Sequence, residues 1–187
     1  MEFVQPIKSK IKIEEMKVYL KSKSLRDWAL FTLGINSALR ISDLLKLQVD
    51  DVIDENGNIR ERIKVKEIKT SKTKSFPFTM KVIASLNEYI KSEHPSESLF
   101  PSRQQGGKTI TRFRAYSILK TAANKVGIME NIGSHSLRKT WAYQAYVKGV
   151  PLAKIMVALN HSTEAMTLRY LGITQDNLDE VYMDMDL

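Results

Sequence analysis

About fifty residues into the chain the hydrophobic period changes, and that change limits the folds open to it. Before it, apolar residues recur at helical spacing. From Leu25 to about Ala38, Trp28, Leu30, Phe31 and Leu33 share a buried stripe. Ser24 suits the N-cap of this helix, because Asp27 follows at capping-box distance. An earlier helix reads over Ile11–Leu20, with Ile13, Met16, Val18 and Leu20 partly in phase, and a short one follows at ISDLLKLQ. Asn56-Gly57 is then a hairpin signal, since both residue types tolerate positive φ. It joins a short strand near Asp51–Asp54 to a longer one near Ile59–Ile68, in which Ile63, Val65 and Glu67 alternate with Lys64 and Lys66. KTSKT turns the chain into KSFPFT (74–79), where Pro77 marks an edge strand or its end.

Helical spacing resumes at Lys81–Glu93, Ile110–Val126, Ser136–Val147, Leu152–Leu159 and Thr163–Leu171, and faintly at Asn177–Met185. Gly127 and Gly149 are expected helix stops. The fold class is therefore mainly α with a small three-stranded antiparallel β-sheet, within the size of one domain.

Composition narrows the partners. The chain lacks cysteine, which excludes disulfides and thiolate metal sites. No segment approaches the roughly 18 apolar residues of a membrane span, and a soluble, cytoplasmic protein is expected. The net charge is +8, but residues 171–187 hold five acidic side chains and no lysine or arginine, so the rest carries +13. Such a body attracts polyanions, nucleic acid first; a solvated basic surface is the plainer alternative.

Several motifs fail on inspection. QQGGKT (104–109) looks like part of a phosphate-binding loop, but Ser102 stands where that motif needs glycine, so a surface turn is expected. His94, His135 and His161 lack zinc-site spacing, and no serine sits in a nucleophile elbow. Neither a metal nor a cofactor is expected.

The remaining polar residues are individually ordinary. His135 and Arg138, at i and i+3, share a helix face near a helix start that favours anions. Arg40 interrupts an apolar run at a helix junction; it either faces solvent or pairs with Asp43, which could also orient it. Lys69 sits at a turn amid Lys64, Lys66, Lys72 and Lys74. His161 precedes Tyr170 by nine residues.

As a set they are specific. SALRISDLL, IKTSKTKSFPF, HSLRKT and LNHSTEAMTLRYLGI, in that order, resemble the four boxes of the tyrosine recombinase catalytic domain, the phage integrase family. The resemblance covers about Ile13 to Ile173. It implies residues 1–173 as the catalytic domain, an acidic tail over 174–187, and no N-terminal core-binding domain. Either the chain is a catalytic fragment or it is a stand-alone short recombinase, and Met1 with the continuous pattern from Val4 favours the short form.

Carried over residue by residue, the resemblance implies Arg40 and Arg138 as phosphate clamps and Tyr170 as the nucleophile that forms a 3′-phosphotyrosyl bond. Lys69 would protonate the leaving 5′-hydroxyl, His135 would assist proton transfer at the tyrosine, and His161 would supply a further donor. Asn160 stands where the family commonly has glycine, and asparagine also suits a left-handed turn. Lys72, Lys74, Arg103, Lys108, Arg112, Arg114 and Lys139 are candidate DNA contacts. The implied partners are double-stranded DNA recombination sites and further copies of the chain, a tetramer on DNA. The acidic tail would dock on a neighbouring protomer or fold back on its own basic body. A type IB topoisomerase-like enzyme and a DNA-binding protein without catalysis are the competing readings.

Overall fold

The Ser24 hydroxyl accepts from the Asp27 amide and opens the helix that organises the molecule. A computed structural model of the chain describes residues 4–103, 106–172 and 183–185. The first two helices are α1 (Lys10–Lys23) and α2 (Leu25–Ser37). They are followed by two single turns, α3 (Ile41–Leu44) and α4 (Val49–Val52), and a hairpin of β1 (Arg62–Lys66) and β2 (Thr73–Pro77). Then come α5 (Met80–Glu93), α6 (Arg112–Lys125), α7 (Ser136–Val147), α8 (Leu152–Ala158) and α9 (Glu164–Leu171).

Helix α2 is buried on nearly every face, with Ala29 through Ile35 an unbroken buried run. It packs against α1, α5 and α7. Gly34 permits the last contact: a Cβ there would lie 2.6 Å from the Leu137 side chain. Most buried side chains form one core around α2. A second, smaller core of Ala38, Ala142, Ile155, Leu159 and Leu171 joins α7, α8 and α9. Helix α7 spans both, since Leu137 belongs to the first and Ala142 to the second.

The sheet corrects the expected one. Among the described residues it has two strands, not three, paired from Arg62 opposite Pro77 to Lys66 opposite Thr73. The missing strand is a helical turn: the Gln48 amide donates to the Asp51 carboxylate at 2.8 Å, starting α4, and only the Ile53–Ile59 bridge remains. The turn itself forms, but the Asp54 carboxylate closes it by accepting from the Asn56 and Asn58 amides, and only Gly57 takes positive φ (78°). Pro77 ends its strand as expected. Gly127 and Gly149 take φ of 71° and 78° just past α6 and α7. Among the described residues no helix is long and apolar enough to cross a membrane. The acidic tail, and the helix expected within it, lie almost wholly outside the described residues.

Candidate active site

Helix α2 ends at Ala38, in the left-handed conformation at φ 53°. Its last carbonyls then point at cations, as a helix C-terminus favours. The Arg138 guanidinium donates to Ala38 O at 2.6 Å and also to Leu159 O, so it ties the first turn of α7 to the ends of α2 and α8. Lys74 Nζ donates to Ser37 O at 2.9 Å. Two residues past the corner, Arg40 begins α3.

One carboxylate lies beneath these cations. The Glu67 side chain is fully buried, 3.0 Å from Arg40 Nη1 and 3.5 Å from Arg138 Nη1. Its Oε2 also accepts from Thr70 Oγ1 at 2.8 Å and Asn160 Nδ2 at 2.7 Å. Burial pushes the Glu67 carboxyl up, but those two donors and the charges of Arg40 and Arg138 outweigh it and hold the group below the ordinary carboxylate range. Glu67, rather than Asp43, is thus the ion partner of Arg40. Buried Asp43 instead accepts from the Ile68 amide at 2.9 Å and fixes the backbone beside Glu67.

Asn160 takes φ 49° at the corner after α8, so its amide reaches Glu67 while the chain turns to present His161. His161 Nδ1 lies 3.1 Å from Thr167 Oγ1 on α9. The His161 and Tyr170 rings meet edge to face, with centroids 5.1 Å apart. Lys139 Nζ sits 5.3 Å from the Tyr170 centroid on another side. The nine-residue spacing that the sequence offered is therefore a ring contact.

The Tyr170 hydroxyl is buried with no well-aligned hydrogen bond, and the Arg138 guanidinium lies within its reach. Burial raises its pKa to about 12, against the opposing pull of Arg138 and Arg40. Resting Tyr170 is accordingly a neutral phenol. Burial, then Arg138 and Arg40, lower His161 to about 4, so it too is neutral at pH 7. His135, the residue before α7, is exposed to solvent on one side; partial desolvation and then the charges of Arg112, Arg138, Arg40 and Lys139 lower its pKa. A neutral imidazole has a nitrogen lone pair open to a proton, and the surrounding cations weaken it as a base.

Arg40, Arg138, His161 and Tyr170 thus lie together, and His135 lies within the same electrostatic field. Lys69 is exposed on the hairpin turn and takes no part in the cluster's contacts. Lys74, expected on DNA, instead enters the cluster, where burial and Arg138 lower its amine to about 8. Lys139, expected on DNA as well, is only 5% exposed. Lys72, Arg103, Lys108, Arg112 and Arg114 are exposed, and Arg103 faces Glu93 at 3.7 Å. Glu67 and Asn160 carried no site role in the sequence. The alternation of Ile63, Val65 and Glu67 points that carboxylate inward, and the same period of two carries Lys74 inward beside Phe76.

Known proteins similar to this chain identify its family. The model of the phage integrase family matches residues 9–176. The chain is 42% identical over 182 residues to the probable integrase/recombinase YoeC of Bacillus subtilis, covering 97% of each. It is 30% identical over 162 residues to the tyrosine recombinase XerD of Corynebacterium glutamicum, covering 84% of this chain and 52% of that protein. The chain thus spans nearly all of the first relative and about half of the second. Among solved structures, XerA recombinase superposes with a TM-score of 0.76 at 19% identity, over 100% of this chain and 67% of the other. XerH site-specific recombinase, bound to its palindromic difH substrate after cleavage, superposes with a TM-score of 0.75 at 20% identity, over 97% and 53%. At those identities the likeness is one of fold. With the family model spanning residues 9–176 and a 42%-identical relative covered over 97% of its length, the protein belongs to the phage integrase family of tyrosine recombinases.

Proposed function

We propose that this tyrosine recombinase cleaves and rejoins double-stranded DNA at specific sites through a 3′-phosphotyrosyl intermediate on Tyr170. The observation that carries this reading is the buried Tyr170 hydroxyl, which lies within reach of Arg138, in the field of Arg40, and on a ring packed against His161. Phosphoryl transfer spreads negative charge over the equatorial oxygens, and planar guanidinium forks suit it. Arg40 and Arg138 would receive that charge, with His161 Nε2, the nitrogen not engaged by Thr167, as a further donor.

The Tyr170 oxygen attacks phosphorus, and the bond from phosphorus to the 5′-oxygen breaks. The phenolic proton passes to His135, and Lys69 gives a proton to the departing 5′-oxygen. A 5′-hydroxyl from another strand then attacks the phosphotyrosyl ester and returns Tyr170 to its resting form. The ester conserves the phosphodiester bond, so no nucleotide hydrolysis enters the balance. Lys69 must move inward with the DNA, whereas Lys74 already holds a positive charge beside the arginines. Lys72, Arg103, Lys108, Arg112 and Arg114 would follow the DNA backbone. Residues 1–173 form the catalytic unit, and exchange takes place in a tetramer on paired sites.

The test is to mix the protein with sheared genomic DNA of its source and quench with SDS. Wild type should retain covalently bound DNA and Tyr170→Phe should retain none, although both bind DNA. Adducts that persist in Tyr170→Phe, or tight binding with no adduct at all, would overturn the reading.

A further inference from the structure

Glu67 is a fully buried charge that the chemistry above does not use. Its partners come from four separate places: Arg40 after α2, Arg138 in α7, Asn160 after α8, and Thr70 in the hairpin turn, next to Lys69. A buried carboxylate with that many partners is costly to maintain unless each contact is made. Two of its contacts are incomplete. Glu67 Oε1 and Arg40 Nη1 are buried without an aligned hydrogen bond, although Arg40 lies 3.0 Å from the other carboxylate oxygen. Arg40 is therefore held electrostatically through the buried Nη1, while 17% of its side chain stays exposed and open to a phosphate.

We infer that Glu67, oriented by Asn160, is a positioning residue: a resident anion that assembles the two arginines, the His161 corner and the hairpin turn before DNA arrives. The inference rests on the recombinase reading for its consequence, but not for its geometry. The carboxylate carries the charge that lets two guanidiniums stay close without DNA. Thr70 and Asn160 fix its orientation and so link the Lys69 and His161 segments to the same point. Asn160 thereby has two tasks, a left-handed turn at φ 49° and an amide bond to Glu67. Glycine could perform only the first.

That division supplies the test. Asn160→Gly keeps the turn and removes the amide; Glu67→Gln keeps the shape and removes the charge. We expect Asn160→Gly to fold as well as wild type yet form adducts on genomic fragments at least about ten-fold more slowly. Glu67→Gln should also slow adduct formation while binding the same fragments more tightly, since an anion has left the phosphate-binding cations. Loss of structure would instead weaken binding and rate together. The double variant should be no slower than Glu67→Gln alone, because both act through one carboxylate. Adduct formation by Asn160→Gly at the wild-type rate would overturn the inference.

A second readout needs no catalysis. In nitrogen-15 NMR of arginine side chains, Arg40 (assigned by its loss in Arg40→Lys) should show slow guanidinium rotation in DNA-free wild type and fast rotation in Glu67→Gln and Asn160→Gly. Equal mobility in all three would overturn the inference. If wild type forms no adducts, the recombinase reading fails, and the NMR result still decides the role of Glu67.

Discussion

Arg138 has two backbone carbonyls and a carboxylate as partners and almost no exposure, so its loss should be felt twice. Arg138→Ala strands Glu67 and both carbonyls, and should cost about 3–5 kcal/mol in urea unfolding, together with adduct formation. Arg40 is more accessible and bonds no backbone. Arg40→Lys should leave the urea midpoint nearly unchanged and slow single-turnover cleavage by roughly 10²–10³-fold, the usual effect of losing one transition-state donor. His161 adds a pH signature. Its folded pKa of about 4 lies below its ordinary 6.5, so between those values the unfolded chain binds the extra proton. Stability is therefore complete above pH 6.5 and falls as pH drops towards 4; Tm measured across that window should fall less in His161→Gln. At this scale the sequence was legible where a motif names the residue. Arg40, Arg138, His161 and Tyr170 meet as expected. Glu67 was legible only as part of the strand's apolar alternation and Lys74 only as a candidate DNA contact, because their meeting with the arginines depends on which face of the hairpin packs inward. The register that pairs Val65 with Lys74 shows that face.

Packing of α7 on α2 sets where Arg138 and His135 stand. Gly34→Ala would drive a methyl group against Leu137, one residue from Arg138. It should destabilise the fold by about 1–3 kcal/mol, as overpacked cores do, and slow adduct formation although Gly34 touches no site residue. Thermal unfolding and trapping together check this. Long helices were readable from the sequence by apolar period and, at Ser24, by a cap; the structure adds Thr79, Thr111 and Thr163, each accepting from the amide three residues on. The segment before Asn56-Gly57 was not readable as a strand or helix from period alone. Four residues cannot separate the two, and the Gln48–Asp51 hydrogen bond decided for a helical turn.

Taken whole, the molecule gathers Arg40, Arg138, His161 and Tyr170 where its two cores meet, and it keeps other basic residues exposed. The lysines and arginines kept exposed on the hairpin turn and on and before α6 should give DNA binding a steep salt dependence. Replacing Lys108, Arg112 and Arg114 together by alanine should weaken binding to all sequences alike. It should also reduce the log–log salt slope by roughly one for each phosphate that is no longer neutralised. Global charge was legible from composition alone; its gathering around Tyr170 required the fold. In the proposed reaction Tyr170 becomes covalently attached to the 3′ side of a DNA break. Peptide mapping of the nuclease-trimmed adduct, with end-labelling of the released strand, tests this. A nucleotide remnant on Tyr170 and a free 5′-hydroxyl on the DNA are expected. A remnant on another residue, or a 5′-linked phosphate, would contradict it.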